Sequence, residues 1–294
     1  MRDARSNHAT VSALALIFFL TLLPSCGRQQ TGVPLFMRPW NRASEPFRVA
    51  GNVHFVGTSG MGVYLITTPA GHILLDSAFE ASVPMIADNV RRLGFRFEDV
   101  KLLLASHGHI DHVGGHARVR ELTGARVLVS AGDARLLREG GRGDFAYGDL
   151  LAFRPSPVDG LVSDGQRVEL GGTTLTAHLT PGHTEGATTW TMEVEEQGRR
   201  LRVLFFPSGL VSPGARLQDN EKYPTIVPDF ERSFARWKAL PCDVFLGAHT
   251  VFFDLADKRD RQKRGGPNPF IDPEGFRRTV EEQERKFREQ LDDG

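Results

Sequence analysis

The sequence has few features of a disulfide-rich or nucleic-acid-binding protein. It contains only two cysteines, Cys26 and Cys242, so at most one disulfide could form. Its 36 Lys and Arg residues balance 36 Asp and Glu residues, and no basic stripe is interleaved with aromatics, which argues against nucleic acid as a partner. With 294 residues, 40% of them hydrophobic, the chain can still bury a sizeable core. The composition therefore favours a globular protein over a disordered one.

The longest apolar run lies near the amino terminus, at residues 11–23, and follows Arg2 and Arg5. It is too short to span a bilayer, which takes about 20 apolar residues, but it is typical of a secretory signal. The following Leu-Pro-Ser-Cys resembles the end of a bacterial lipoprotein signal, in which Cys26 would become the lipidated amino terminus. Ordinary signal cleavage nearby is the alternative. Either interpretation predicts an exported, periplasmic protein, which lipidation would anchor to the envelope membrane.

The rest of the chain divides into a tether and a domain. We predict a signal peptide over residues 1–26, a tether over 27–45 and one folded domain over 46–294. Two groups of strands are expected, and each has its own helices. The expected strands lie at 52–56, 62–67, 72–76, 100–106 and 126–130, and then at 166–170, 173–179, 188–195, 201–206 and 244–247. Two such α/β halves can pack sheet against sheet with their helices outside, and strand-end loops would meet at one edge.

One such loop is dense in side chains that bind metals. His107, His109, Asp111 and His112 fall within six residues, directly after an apolar strand-like run. His107 and His109 are two residues apart, so a nearly extended chain points both rings the same way. Asp111 and His112 approach from another side, because glycines 114–115 let the backbone turn. A lone histidine would be an ordinary hydrogen-bonding residue, but four ligand types at this spacing favour a metal site with two neighbouring clusters.

Two further histidines also follow predicted strands. His183 lies in Thr-Pro-Gly-His-Thr after residues 173–179, and His249 lies in Gly-Ala-His-Thr after residues 244–247. A Pro-Gly turn at a strand end aims the histidine that follows it at a fixed point. Each motif is weak alone. Together with the first loop they supply five histidines and one aspartate at three strand ends.

These motifs resemble the metallo-β-lactamase fold superfamily, whose pattern is His-x-His-x-Asp-His, then Gly-His-Thr, then a late His. Within it, the chain is similar to the third subclass of class B metallo-β-lactamases. Segments 52–58, 65–76 and 232–244 carry the likeness further, and it covers about residues 46–292. The resemblance implies a four-layer αββα sandwich, with the metal site at one edge between the two sheets. We expect a monomer.

The resemblance also implies roles for individual residues. His107, His109 and His183 would bind a first Zn²⁺, and Asp111, His112 and His249 a second. Asp76 would orient a ligand histidine, although it could equally be a polar strand end. Asp111 would also be catalytic, holding and relaying a proton. The implied reaction is hydrolysis of the β-lactam amide of penicillins, cephalosporins or carbapenems by a hydroxide that bridges the metals, which would confer antibiotic resistance.

Other functions are also consistent with the sequence. Thiolester hydrolases of the glyoxalase II type and lactonases usually carry a metal-bridging carboxylate after the strand that corresponds to 201–206. Here the chain reads Phe-Pro-Ser-Gly-Leu with no acid, which favours a β-lactamase. A zinc-holding envelope lipoprotein without catalysis is the non-enzyme alternative.

Substrate binding is where the sequence departs from the subclass. Gly209 and Val211 stand where the subclass typically has serines for the substrate carboxylate, so Ser208, Ser212 or Lys222 would take that role.

Three further expectations concern residues outside these motifs. The Gly- and Arg-rich segment 140–157 is expected to be an irregular loop at the rim of the site. His116 is interpreted as a surface helix histidine, because the ligand set is complete without it. Cys242 is interpreted as a buried free thiol, because no cysteine follows it.

Overall fold

The computed structural model describes residues 32–293 and contains two mixed sheets flanked by helices. The first sheet has seven strands in sequential order: β1 Phe47–Ala50, β2 Val53–Phe55, β3 Tyr64–Thr68, β4 Gly71–Leu75, β5 Val100–Leu104, β6 Arg126–Ser130 and β7 Gly160–Val162. The pairs from β1 to β4 are antiparallel, and those from β4 to β7 are parallel. The carboxyl ends of β4 to β7 therefore lie at one edge of this sheet.

The second sheet has the order β12-β11-β10-β9-β8. Its strands are β8 Arg167–Leu170, β9 Thr173–Leu179, β10 Thr188–Glu196, β11 Arg199–Phe206 and β12 Val244–Gly247. Only the β11–β12 pair is parallel among these strands. Since β9, β11 and β12 run in the same direction, the loops after β9 and β12 leave the sheet at the same edge.

Seven α-helices accompany the sheets in residues 32–293: α1 Val83–Arg92, α2 Ile110–Val113, α3 His116–Thr123, α4 Ala131–Glu139, α5 Ile226–Ala239, α6 Leu255–Arg264 and α7 Pro273–Asp293. The carboxylate of Asp272 accepts a 2.8 Å hydrogen bond from the N–H of Gly275 at the start of α7. This contact satisfies one of the free N–H groups of the first turn, as expected for a helix cap. None of the helices in the described part of the chain is long and apolar enough to cross a membrane.

Successive side chains along the strands of the first sheet point to opposite faces, so the sheet contributes to two separate hydrophobic cores. Leu102 and Leu104 on β5 pack into a core shared with the second sheet, whereas Leu103 between them packs into a core shared with α1, α3 and α4. Both faces of this sheet are covered, which is why β4 and β5 end in the buried apolar runs 73–75 and 102–104. The result is the predicted αββα sandwich, and the fold-class prediction is confirmed.

The folded body begins before the predicted boundary at residue 46. Residues Leu35–Trp40 form a 3-10 helix, and Met37 within it is buried. The Trp40 carbonyl accepts hydrogen bonds from Thr58 Oγ1 (2.6 Å) and from the Gly60 N–H (3.0 Å). The second half of the predicted tether therefore packs against the domain. The predicted signal peptide, Cys26 and the first part of the tether lie outside the described residues.

Candidate active site

The strand-end loops meet as predicted at the shared edge of the two sheets. His107 and His109 follow β5, His183 follows β9, and His249 follows β12. The end of β12 is fastened to the first sheet, because the N–H of Gly62 donates a 2.7 Å hydrogen bond to the carbonyl of Ala248. This contact brings ligands from both sheets to one place.

The first cluster contains His107, His109 and His183. One ring nitrogen from each can be chosen so that all three lie within 4.8 Å of one another, and all three side chains are buried. Their ring centroids are 4.6–5.0 Å apart. Three imidazoles at this spacing can share one metal ion and leave a coordination position open, as catalytic zinc sites do.

The second cluster contains Asp111, His112 and His249. His112 Nε2 lies 3.2 Å from His249 Nε2 and 3.5 Å from Asp111 Oδ2, and the remaining pair is 3.6 Å apart. Tetrahedral zinc with bonds of about 2.0–2.1 Å holds its ligand atoms about 3.3 Å apart, so this triangle fits the ion. The His107 and His112 rings are 4.0 Å apart, which makes the two clusters neighbours.

Most of these rings are oriented by a group on the side away from the cluster. His183 Nδ1 donates to the carbonyl of Leu210 (2.7 Å), and His107 Nδ1 lies 3.2 Å from Ser106 Oγ. His112 Nδ1 lies 3.1 Å from Asp76 Oδ2. In each case Nε2 is left for a metal, which is the arrangement expected of metal-binding histidines.

Asp76 itself is held at the end of β4 in the left-handed region, with φ of 63°. Its carboxylate accepts 2.7 Å hydrogen bonds from both the N–H and the hydroxyl of Ser106, next to His107. That Asp76 orients a ligand histidine stays a prediction. Asp76 contacts His112 directly and reaches His107 through Ser106.

The electrostatics of the clusters suit a divalent cation. Burial and the neighbouring histidines lower the pKa of His183 to about 3 and that of His249 to about 4, so both rings are neutral at pH 7. Burial opposes charge on His112, but Asp111 and Asp76 raise its pKa to about 9. Burial opposes the charge of Asp111, but His112 and His249 hold its pKa well below the ordinary value. Metal binding would therefore displace a proton from His112.

A cavity of about 810 Å³ opens above the clusters. His109, Asp111, His183 and His249 form part of its wall. The other lining residues are largely apolar and include Phe36, Met37, Trp40, Tyr147, Leu150, Leu151, Val211, Val251 and Phe252. The Trp40 ring meets His249 edge-on at 5.3 Å between centroids. A polar floor under an apolar rim is typical of a pocket for a small organic substrate.

Of the three predicted substrate-binding residues, only Ser208 borders this cavity. Ser208 is buried, and its Oγ accepts a hydrogen bond from the N–H of Leu210 (3.2 Å). Ser212 Oγ donates to the carbonyl of His183 (3.1 Å) and lies outside the lining. Lys222 is exposed and also lies outside it. Both serines hold the segment beneath the site, and substrate contact by any of the three stays a prediction.

The interpretation of His116 was wrong. Its side chain is fully buried, and Nδ1 lies 2.7 Å from Ser77 Oγ. Burial lowers the pKa of His116 to about 3, so the ring is neutral. It supports the base of the site from behind and faces neither cluster. Cys242 is buried and free, as predicted.

The sequence reasoning also missed Asp133 on α4. Its carboxylate accepts hydrogen bonds from Thr184 Oγ1 (2.9 Å) and from the N–H of Gly186 (3.0 Å). These contacts fix the loop that carries His183. No local pattern marks Asp133, because its partners are about 50 residues away in the chain.

The fold and the clustered ligands define a metal-dependent hydrolase. The profile of the Metallo-beta-lactamase superfamily matches residues 63–195. The native FEZ-1 metallo-beta-lactamase from Legionella gormanii is 43% identical, with a TM-score of 0.84 over 85% of this chain and 96% of that one. BJP-1, a subclass B3 metallo-beta-lactamase of Bradyrhizobium japonicum, is 41% identical, with a TM-score of 0.82 over 87% and 97%. The chain therefore belongs to the metallo-β-lactamase superfamily and, within it, to the third subclass of class B.

Sequence comparison with curated proteins finds shorter matches. The hydroxyacylglutathione hydrolase of Cereibacter sphaeroides is 37% identical over 84 residues, which is 29% of this chain and 26% of that protein. That of Hyphomonas neptunium is 33% identical over 81 residues, or 28% and 25%. The chain thus spans about a quarter of the length of these curated relatives. Their likeness is local, whereas that to the solved structures covers nearly the whole of those proteins.

Proposed function

We propose that this protein is a β-lactamase that opens the four-membered ring of penicillins, cephalosporins or carbapenems with the help of zinc. The observation that carries the proposal is a pair of adjacent three-ligand clusters, each of which contributes two residues to the wall of one substrate-sized cavity. The likeness to FEZ-1 and BJP-1 supports the same reaction.

We propose further that each cluster holds one Zn²⁺. His107, His109 and His183 would hold the first, and Asp111, His112 and His249 the second. The buried Nε2 of His107 has no hydrogen-bond partner among the described residues, which is costly unless it binds something. Zinc bound here would supply a hydroxide at neutral pH and polarise the carbonyl of the substrate. Titration of metal-free protein with zinc should reach two ions per chain, and a plateau at one would contradict this stoichiometry.

The residues of the chain have separate tasks in this reaction. The carboxylate of Asp111 faces the second cluster with Oδ2, and its other oxygen would hold the proton of the attacking water and return it to the ring nitrogen as the C–N bond breaks. The aromatic rings of Trp40 and Tyr147 exclude bulk water from one side of the cavity. Asp76 and Leu210 keep the His112 and His183 rings fixed, so that little reorganisation accompanies the reaction.

The alternative is a thiolester hydrolase, the activity named for the curated relatives. The segment after β11 bears on this choice. Residues 207–212 contain no acid, and the carbonyl of Leu210 in this segment contacts His183. A bridging carboxylate is therefore missing at the place where that class of enzyme usually has one.

Hydrolysis assays separate the two activities. Protein lacking residues 1–26 would be tested on a carbapenem, a cephalosporin and a glutathione thiolester, each with added zinc and with a chelator. Zinc-dependent opening of the lactam ring is the expected result. Turnover of the thiolester alone, by protein that binds zinc, would replace the proposal with the alternative.

We also propose that the enzyme is exported and anchored by a lipid on Cys26. The support is the apolar run at 11–23 with its arginine flank and the Leu-Pro-Ser-Cys that follows. Fractionation of cells should place the protein with the envelope membrane, and Cys26→Ala should move it out of that fraction. Wild-type protein found free in the periplasm would favour ordinary signal cleavage instead.

A further inference from the structure

A buried carboxylate that no part of the proposed mechanism uses lies beside His109. Asp144 Oδ2 is 3.4 Å from His109 Nε2, and the two side chains are 4% and 7% exposed. This is an ion-pair distance and not a hydrogen bond, and neither atom has a hydrogen-bond partner among residues 32–293. Two buried polar atoms that face only each other indicate a functional pairing, because an unpaired buried carboxylate oxygen is costly.

The other oxygen of the same carboxylate organises the loop at 140–157. Asp144 Oδ1 accepts 2.8 Å hydrogen bonds from the N–H groups of both Ala146 and Tyr147. The backbones of Asp144 and Gly148 also pair with each other in both directions. The ring of Tyr147, held by this turn, packs edge-on against the His109 ring at 5.2 Å. One side chain therefore connects the rim loop to the metal cluster.

His109 is held differently from the other oriented histidines of the site. His107, His112 and His183 each have a polar group at Nδ1, whereas His109 has one at Nε2. A neutral imidazole carries its proton on one nitrogen and a lone pair on the other. A proton on Nε2 that faces a carboxylate leaves the lone pair on Nδ1. His109 can thus bind a metal only through Nδ1 as long as this contact persists.

We propose that Asp144 is a positioning residue that selects this tautomer of His109 and thereby sets the affinity of the first metal cluster. The inference rests on the proposed function, because it takes His109 as a metal ligand. The inference adds that the conformation of the loop at 140–157 and the metal affinity of the first cluster depend on each other. Disturbing the turn at Asp144 changes metal binding, and binding of the metal orders the turn.

The Asp144→Asn variant separates tautomer selection from loop structure. The amide keeps one oxygen for the N–H groups of Ala146 and Tyr147 but turns an NH₂ group toward His109 Nε2. That group donates a hydrogen bond, so it favours the tautomer whose proton lies on Nδ1, where it blocks the metal. Zinc affinity of the first cluster should fall about 10- to 100-fold, the usual effect of losing such a partner.

Asp149→Asn is the matched control. Asp149 lies on the same loop, and its Oδ1 accepts a 2.9 Å hydrogen bond from the N–H of Gly143, but it is exposed and has no hydrogen bond or ion pair with a histidine in residues 32–293. A purely structural role of the loop would make both variants behave alike. Tautomer selection affects only the variant of Asp144.

The experiment measures zinc affinity by competition with a coloured chelator, and the absorption spectrum of the protein loaded with Co²⁺. The wild-type protein and the Asp149 variant should give the same two affinities and the same spectrum, and the Asp144 variant should lose affinity and show altered cobalt bands. Wild-type affinity and spectrum in the Asp144 variant would overturn this inference alone. Wild-type protein that binds no zinc would overturn the proposed function, and this inference with it.

Discussion

Asp76 Oδ2 lies 3.1 Å from His112 Nδ1, and the same oxygen accepts a 2.7 Å hydrogen bond from Ser106 Oγ. One carboxylate at the end of β4 thus serves both halves of the ligand motif that follows β5. Its backbone has a φ of 63°, which Asp and Asn tolerate better than most other residues. The packing of two adjacent strands thereby fixes the geometry of the metal site.

Asp76→Ala should therefore harm both folding and metal binding. It leaves the N–H and hydroxyl of Ser106 without their acceptor and places alanine in the left-handed region. We expect the free energy of unfolding to fall by about 2–4 kcal/mol and zinc affinity to fall about 10- to 100-fold. Urea denaturation of metal-free protein and zinc competition measure the two effects. Asp76→Asn keeps the backbone preference and removes the charge, so wild-type stability and zinc affinity in this variant would show that the carboxylate charge has no part.

The buried His116 should make stability depend on pH. Its pKa is about 3 in the folded protein and has the ordinary value of 6.5 in the unfolded chain, so the unfolded chain binds the proton more readily. The contribution of His116 to the free energy of unfolding is therefore highest above pH 6.5. It decreases by about 1.4 kcal/mol per pH unit as the pH falls from 6.5 toward 3. His116→Gln should remove this contribution to the slope. Urea denaturation of both proteins at pH 6, 5 and 4, with chelator present, tests it, and parallel slopes would refute it.

Val211 is a position where a serine could improve substrate binding. It lines the cavity and is partly buried, and the subclass typically has a serine there. A hydroxyl added by Val211→Ser should hydrogen-bond the substrate carboxylate and lower the KM of a cephalosporin about fivefold, which corresponds to about 1 kcal/mol. Steady-state kinetics measure it. An unchanged KM would show that the substrate carboxylate lies elsewhere.

The equivalent change at Gly209 should only destabilise the protein. A Cβ there would lie 2.9 Å from Gln283 Oε1 and 3.1 Å from the Phe234 ring. Because the N–H of Gly209 already donates a 2.6 Å hydrogen bond to that same oxygen, there is no free space for a side chain. Gly209→Ser should lower the free energy of unfolding by about 1–3 kcal/mol. Thermal denaturation measures this loss, and a variant as stable as wild type would contradict the expected clash.

Cys242 should be nearly inert in the native protein. It is 8% exposed, and burial raises the pKa of its thiol to about 12. At pH 8 the thiolate fraction is then about 1000-fold smaller than that of a free cysteine, so a disulfide reagent should react about that much more slowly. Protein lacking residues 1–26 has this single thiol and can be assayed with a coloured reagent, with and without urea. Fast reaction without urea would contradict the burial.

The central ligands could be predicted from sequence because they are local. His107, His109, Asp111 and His112 lie on one short loop after an apolar strand, and strand periodicity shows where that strand ends. His183 and His249 needed the resemblance, since a single histidine after a strand carries little information. Most predicted strand positions were correct, because side chains that pack into one of the two cores give each strand an apolar pattern that can be recognised in the sequence.

What the sequence could not show depends on distant contacts. The short strands β1 and β7 and the polar helix α6 have no periodic pattern long enough to identify them. The partner of Asp144 was hidden because the loop at 140–157 folds back over His109 from more than 30 residues along the chain. His116 was misplaced because its burial comes from packing behind β4 and β5.

The loops after β5, β9 and β12 come from both sheets, so a complete metal site exists only when the two halves of the domain have docked. Zinc bound as proposed would favour the folded state by mass action, by about 2.7 kcal/mol when free zinc is 100 times the dissociation constant. Proteases attack the unfolded chain, so this gain in stability would lengthen the lifetime of the protein. A compartment depleted of zinc would therefore lose these molecules by degradation and not merely hold them inactive.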